Sequence, residues 1–155
     1  MDLHRYEKIW LAIAIAMLVF AIVYSGYQTF ALGQGPPSGV GTIDPDKVEE
    51  TAPFDQPGVY EVGENEYDVI MTLQTFSFDP NEIEIPVGAT VHFFMTSKDV
   101  VHGFQIVGTN LNAMVMPGHV QEATHTFNKP GEYLAVCNEY CGTGHQLMSM
   151  TITVK

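Results

Sequence analysis

Positive charge is what this sequence has least of. Six Lys and Arg stand against 18 Asp and Glu in 155 residues, a net charge of −12 at pH 7. Phosphate backbones are held by Lys and Arg, so nucleic acid is excluded as a partner. Charge of either sign is thin, at 15 % of residues, where about a quarter is usual for a soluble chain. Some of the 46 % hydrophobic content therefore need not belong to a water-soluble core. Cysteine is limited to Cys137 and Cys141, too few for a disulfide-built scaffold. There is no internal repeat, no low-complexity tract, no phosphate-cradling loop, no Ser-His-Asp set and no paired-carboxylate active site. Nine prolines and 14 glycines argue against a helical bundle and for turns. The length allows one modest domain and an appendage.

The missing charge is concentrated at the front. No charged residue lies between Lys8 and Asp44. Ile9 to Phe30 reads IWLAIAIAMLVFAIVYSGYQTF. As a helix it spans about 33 Å, enough for a bilayer core. Trp10, Tyr24 and Tyr27 lie towards its two ends, where interfacial aromatics belong. A secretory signal is the competing reading, but its apolar stretch is shorter and a small-residue cleavage site should follow. A buried core helix is rarely apolar on every face. Arg5 and Lys8 flank the N-terminal end, and no base follows until Lys47. The positive-inside rule then places the N-terminus in the cytoplasm and the remainder outside. Asp2 and Glu7 balance Arg5 and Lys8, so the whole net charge falls on the outer part. An acidic exterior suits a basic partner, or serves solubility alone.

Three segments follow: residues 1–32, cytoplasmic N-terminus and membrane helix; residues 33–57, a linker with a short helix; and residues 58–155, a strand-rich domain. Gly33 to Gly41 (GQGPPSGVG) reads as a tether. Asp44-Pro45 supplies an N-cap acid and a Pro at the first helical position. From Val59 the pattern turns to period two. Tyr67–Phe76, Glu82–Ile85, Ala89–Thr96, Val100–Val107, Val120–Phe127, Glu132–Cys137 and Met148–Val154 read as strands, separated by turn chemistry such as DPN and NKPGE. Seven or eight short strands in such a length predict a mainly β sandwich or Greek-key barrel.

The informative segment is Cys137 to Met148, CNEYCGTGHQLM, with His102 upstream in SKDVVHGF. Four readings compete. A disulfide leaves His145 and Met148 without a purpose. Structural zinc could take two thiolates and two imidazoles, but the spacing is unlike a finger and Met is a poor zinc ligand. A mononuclear blue copper site needs one Cys, two His and a weak axial Met, and leaves one Cys surplus. A dinuclear copper site uses every residue. Two thiolates bridge two metals, one imidazole serves each, and Met148 and a backbone carbonyl are weak caps. Sharing one electron over two metals keeps bond-length changes small, so reorganisation costs little.

His102 followed by Cys137-x-Glu139-x-Cys141-x-x-x-His145-x-x-Met148 resembles the copper A motif of subunit II of haem–copper cytochrome c oxidases. The upstream DVVHGF, the FDPNEIEIPVG segment and the membrane anchor extend the resemblance over most of the chain. It implies a cupredoxin-like fold. It implies Cys137 and Cys141 as bridging ligands, His102 and His145 as terminal ligands, and Met148 and the Glu139 carbonyl as axial ligands. The implied task is to accept electrons from cytochrome c or a similar carrier and pass them to haem in subunit I. Oxygen is reduced there, coupled to proton pumping, and no oxygen chemistry occurs in this chain. A single membrane helix is similar to the short subunit II of ba3-type oxidases. In those, a separate small subunit supplies another helix. The implied location is a prokaryotic plasma membrane, with the copper domain on the outer side.

The same resemblance gives further expectations. Glu7, in YEKIW, would form the entrance of a proton pathway; the plain alternative is a flanking charge balancing Lys8. The Glu139 carboxylate would hold magnesium at a subunit interface. Phe76 and Phe78 would lie where electrons arrive. Two residues apart on a strand, they would share a face, which ordinary packing also explains. Met114 and Met116, in the loop after NLN, would line the surround of the metal or fill core gaps. His92, His119 and His125 read as scattered strand or turn residues. Ala12 and Ala16 would let the membrane helix approach subunit I closely. The rivals are a tethered single-copper carrier, a zinc or disulfide domain, a quinol-oxidase subunit II, which has lost the copper ligands, and a nitrous-oxide-reductase copper domain, whose catalytic domain has no room here.

Overall fold

The computed structural model describes residues 4–32 and 38–155 and separates the chain into two units, Met1–Pro36 and Pro37–Lys155. The first is helix α1, Arg5–Ala31. Its 27 residues reach about 40 Å along the axis. None of its side chains is buried by the chain itself. Apolar on every face, this helix is long and apolar enough to cross a membrane. The Glu7 carboxylate accepts the backbone N–H of His4 at 2.7 Å, closing the first turn.

The second unit is a two-sheet sandwich of eleven strands among the described residues. In chain order they are β1 Ser38–Thr42, β2 Gly58–Gly63, β3 Glu66–Gln74, β4 Ser77–Asp79, β5 Glu82–Ile85, β6 Thr90–Ser97, β7 His102–Ile106, β8 Asn112–Val115, β9 His119–Thr126, β10 Gly131–Val136 and β11 Ser149–Val154. One sheet runs β1-β9-β6-β3-β2, with β4 also on β3; the other runs β5-β11-β10-β7-β8. β3 lies parallel to β6 and β5 parallel to β11, and the remaining pairs are antiparallel. This is the cupredoxin-like sandwich that the resemblance implies.

Period-two alternation builds the core. Val69, Met71 and Leu73 of β3 and Val91, Phe93 and Met95 of β6 point inward, fully buried. Phe104 and Ile106 of β7, with Ile152 and Val154 of β11, meet them from the other sheet. The Phe104 ring packs edge-on to Phe78 at 5.7 Å and tilted on Phe93 at 5.3 Å. β3 reads as nearly continuous apolar sequence because both of its faces are covered. Ile70 faces outward and packs with Ile43, Val48 and Phe54.

That packing changes the reading of the linker. Residues 33–37 of the expected tether lie outside the described residues. Ser38–Thr42 is a strand on β9, and Asp44 caps a 3-10 turn, Pro45–Glu50, through its side chain to the Asp46 N–H. A small-residue, Gly-rich strand gives no alternation to read, and only pairing with β9 fixes it. β8 is likewise a strand where a loop was expected. Met114 on it is 41 % exposed and so fills no core gap.

Candidate metal centre

The ladder between β10 and β11 ends at Val136 opposite Ser149. One further bond, Cys137 N–H to the Met148 carbonyl at 3.1 Å, closes the neck of the loop that holds residues 137–148. Met148 thus lies beside Cys137 although ten residues lie between them in sequence. A 3-10 turn, His145–Leu147, brings the His145 ring back over Cys141. β7 pairs with β10 through Val136 and Gln105, and its first residue, His102, reaches the loop from the side.

The approach of β7 depends on Gly103. A Cβ there would meet the Asn138 side chain, and would lie 2.8 Å from the Asn138 backbone nitrogen and 2.9 Å from that of Glu139. Only glycine lets the backbones come this close.

Five side chains and one carbonyl converge. The sulfurs of Cys137 and Cys141 are 3.8 Å apart, both buried and both free thiols. His102 Nδ1 lies 3.9 Å from Cys137 Sγ, and His145 Nδ1 lies 3.6 Å from Cys141 Sγ. Met148 Sδ is 3.8 Å from Cys141 Sγ, and the Glu139 carbonyl oxygen is 3.2 Å from Cys137 Sγ. The ligating atoms of His102, Cys137 and Cys141 all fall within 4.8 Å of one another. Burial, and then the neighbouring Cys137, push the Cys141 thiol above its usual range, while the Phe76 backbone N–H offsets part of that rise. The donor set is soft and enclosed, and it fits copper.

Asp99, which the sequence reading passed over, orders the site. Its Oδ1 lies 2.8 Å from His102 Nε2. With Nε2–H donated to the carboxylate, Nδ1 keeps its lone pair turned towards the sulfurs. Oδ2 accepts both the backbone N–H and the hydroxyl of Thr75, from the turn between β3 and β4. Burial raises the Asp99 carboxyl, but hydrogen bonds from Thr75, His102 and the Val100 N–H outweigh it and hold it well below the usual carboxylate range. An acid three residues before the histidine was the only trace in the sequence. The contact with Thr75 bridges 24 residues and exists only in the fold.

The two phenylalanines do not share a face. Phe76 sits in the β3–β4 turn with φ of +70° and is 40 % exposed, whereas Phe78 is buried at the Phe104 contact. The turn breaks the strand between them, so the two-residue spacing carries no orientation. Phe76 instead lies on the metal loop: a Cβ on Gly144 would come within 2.8–2.9 Å of its ring. His92 pairs with Thr124 and His125 with the Phe127 ring, on strands rather than in the loop. Glu7 closes the first turn of α1, in the other unit.

Fold and site together define a class: a β-sandwich with a buried thiolate–imidazole donor set for electron transfer, joined to one helix long and apolar enough to cross a membrane. The comparisons agree. A family model described as cytochrome c oxidase subunit II, periplasmic domain, matches residues 60–155. A cytochrome c oxidase subunit 2 of Thermus thermophilus is 44 % identical over 154 residues, covering 97 % of this chain and 92 % of the relative. A second sequence of that name from the same species is 43 % identical over 129 residues, covering 82 % of this chain and 96 % of the relative. A chain from the cryo-electron-microscopy structure of a haem–copper terminal oxidase dimer superposes with a TM-score of 0.80 at 36 % identity, covering 97 % of this chain and all of that one. This chain belongs to the cytochrome c oxidase subunit II family, and is the electron-transfer subunit of a haem–copper oxidase that works with subunit I.

Proposed function

We propose that Cys137 and Cys141 hold a dinuclear copper centre, with His102 and His145 as terminal ligands and Met148 and the Glu139 carbonyl as weak caps. The observation that carries this is the pairing of two buried sulfurs, 3.8 Å apart, each with its own imidazole. Two coppers bridged there would supply a one-electron couple of low reorganisation cost. The protein's part is to keep the donors still. Asp99 fixes the His102 tautomer, Gly103 admits β7, and Phe76 covers the glycines of the loop.

Electrons are proposed to arrive from cytochrome c or a similar carrier at the apolar rim of the loop. Phe76, Val100, Val101, Tyr140 and Leu147 are all exposed there, Tyr140 and Leu147 by three quarters. Apolar side chains beside a buried redox site exclude water from a transient interface. The outgoing electron goes to haem in subunit I. A further small membrane subunit would cover part of α1. The N-terminus is placed in the cytoplasm of a prokaryotic cell and the copper domain outside its plasma membrane, following the bases at the start of α1. Glu7 is retained as a proton-pathway residue that also closes its helix. Magnesium at the Glu139 carboxylate would share its cavity with the Asn112, Gln121 and Asn138 amides and with two thioethers, which are poor partners for a hard cation.

Electron paramagnetic resonance on the full chain in detergent, with copper counted per chain, tests the centre. Two coppers sharing one unpaired electron, with hyperfine splitting from both nuclei, is the expected result. Single-nucleus splitting would establish the mononuclear carrier instead, and zinc or a disulfide in place of copper would end the electron-transfer chemistry proposed for these residues.

A further inference from the structure

The ligand loop has a second side. Behind Glu139 lies a cavity of about 300 Å³, lined by Met114 and Met116, the amides Asn112, Gln121 and Asn138, Ala113, and Glu139 itself. Ala113 and Val115 of β8 turn into the core and Met114 turns away from it, and Met116, just past the end of the strand, borders the same cavity as Met114. Met114 is 41 % exposed and belongs to neither core cluster. Gln121 of β9 borders the same space from the facing sheet and is 3 % exposed. Its Oε1 has no hydrogen-bond partner among the described residues. Buried amide oxygens nearly always have one. The neighbouring amides are not in the same position, since Asn138 Nδ2 donates to Asn112 Oδ1 at 3.0 Å.

We propose that this cavity is a loading site for a monovalent copper ion, held by the Met114 and Met116 thioethers with oxygen from Gln121 or the Glu139 carboxylate, and passed from there to Cys137 and Cys141. Hard divalent cations take oxygen ligands, and two of the donors bordering this cavity are thioethers. Thioethers select monovalent copper and bind it weakly enough to release it to thiolate. Glu139 joins the two sites, because its carbonyl lies 3.2 Å from Cys137 Sγ while its residue borders the cavity. The transfer is ligand exchange. Copper–thioether bonds break, copper–thiolate bonds form, the thiol protons leave to solvent, and the ion stays monovalent throughout.

The route rests on the dinuclear reading above, and the test separates the two. The full chain is titrated anaerobically with Cu(I) from a coloured competing chelator. The unaltered chain should take three ions, and Met114→Leu/Met116→Leu should take two. Leucine keeps the volume, so that variant should still give the dinuclear resonance signal once oxidised. Cys137→Ser/Cys141→Ser should keep one ion, and should lose it when both leucines are added. With limiting Cu(I), the copper–thiolate absorption of the leucine variant should appear at least tenfold more slowly. A chain that stops at two ions with or without the methionines overturns the site. An unchanged loading rate overturns the route, and so does magnesium or manganese occupying the cavity in preference to Cu(I). If the methionine-dependent ion binds but no thiolate-dependent pair forms, it is the dinuclear reading that fails.

Discussion

Asp99 shows how much of this site is set by residues that are not ligands. Its carboxylate holds the His102 ring from one side and the Thr75 turn from the other. Asp99→Ala should leave both thiols and both imidazoles in the chain yet lower copper affinity about 10- to 100-fold, as losing the partner of a ligating histidine commonly does. Competition titration against a copper chelator measures it. Wild-type affinity in that variant would show that packing alone orients His102. Gly103 makes the complementary point through space rather than charge. Gly103→Ala forces a methyl against the Asn138 side chain and the Asn138 and Glu139 backbone nitrogens. Overpacking of that kind costs about 1–3 kcal/mol, here at the neck of the metal loop. Thermal unfolding should show the loss, and copper stoichiometry should fall with it.

Among the elements, β9 carries its own pH dependence. Burial holds the His125 imidazole below its ordinary value of 6.5, against the Phe127 ring. A lowered histidine adds stability that is fully present above pH 6.5. That stability is lost as pH falls from there towards the folded-state value, because the unfolded chain takes up the proton first. Denaturant unfolding between pH 7 and 5 should therefore show a decline that is shallower in His125→Gln; equal slopes would mean the imidazole is as free in the fold as out of it. Helix α1 separates two roles of one carboxylate. Glutamine serves a helix start as well as glutamate does, so Glu7→Gln should leave helix content unchanged by circular dichroism. If Glu7 feeds a proton pathway, proton uptake by the assembled oxidase should slow all the same. Unchanged uptake would reduce Glu7 to closing its helix.

At the level of the molecule, the sandwich has a core of its own. Both buried clusters draw only on residues from Ile43 to Val154, and no residue of α1 is buried by the chain. A chain beginning at residue 38 should therefore unfold at the same temperature as the full protein in detergent, within about 2 °C, and bind copper with the same stoichiometry. A shorter cut, at residue 58, should be much worse. It removes β1, and it strips Ile43, Val48 and Phe54 from the outer face of β3. Burying apolar side chains of this size stabilises by about 1.5–3 kcal/mol each, so differential scanning calorimetry should resolve the two cuts easily.

The sequence by itself determined what depends on neighbours along the chain. An uncharged stretch from Ile9 to Phe30 is a membrane-length helix whatever the rest does, because apolar length alone decides it. Alternation in β6 and β11 told which side chains enter the core, whereas the apolar run of β3 did not. Cys137, Cys141, His145 and Met148 fall within twelve residues, so their convergence was legible as spacing, and His102 was tied to them by resemblance. Tertiary structure decided what depends on contacts between distant segments. A Gly-rich strand such as β1 has no side-chain pattern, and exists because β9 offers it hydrogen bonds. Phe76 and Phe78 part company because a turn falls between them, and period two holds only within a strand. Thr75 meets Asp99 and His102 because the β3–β4 turn and the β6–β7 connection lie at the same edge of the sandwich. The cavity that Met114 and Met116 border opens on the back of the ligand loop for the same reason: a cavity belongs to the packing of sheets, and no single stretch of chain encodes it.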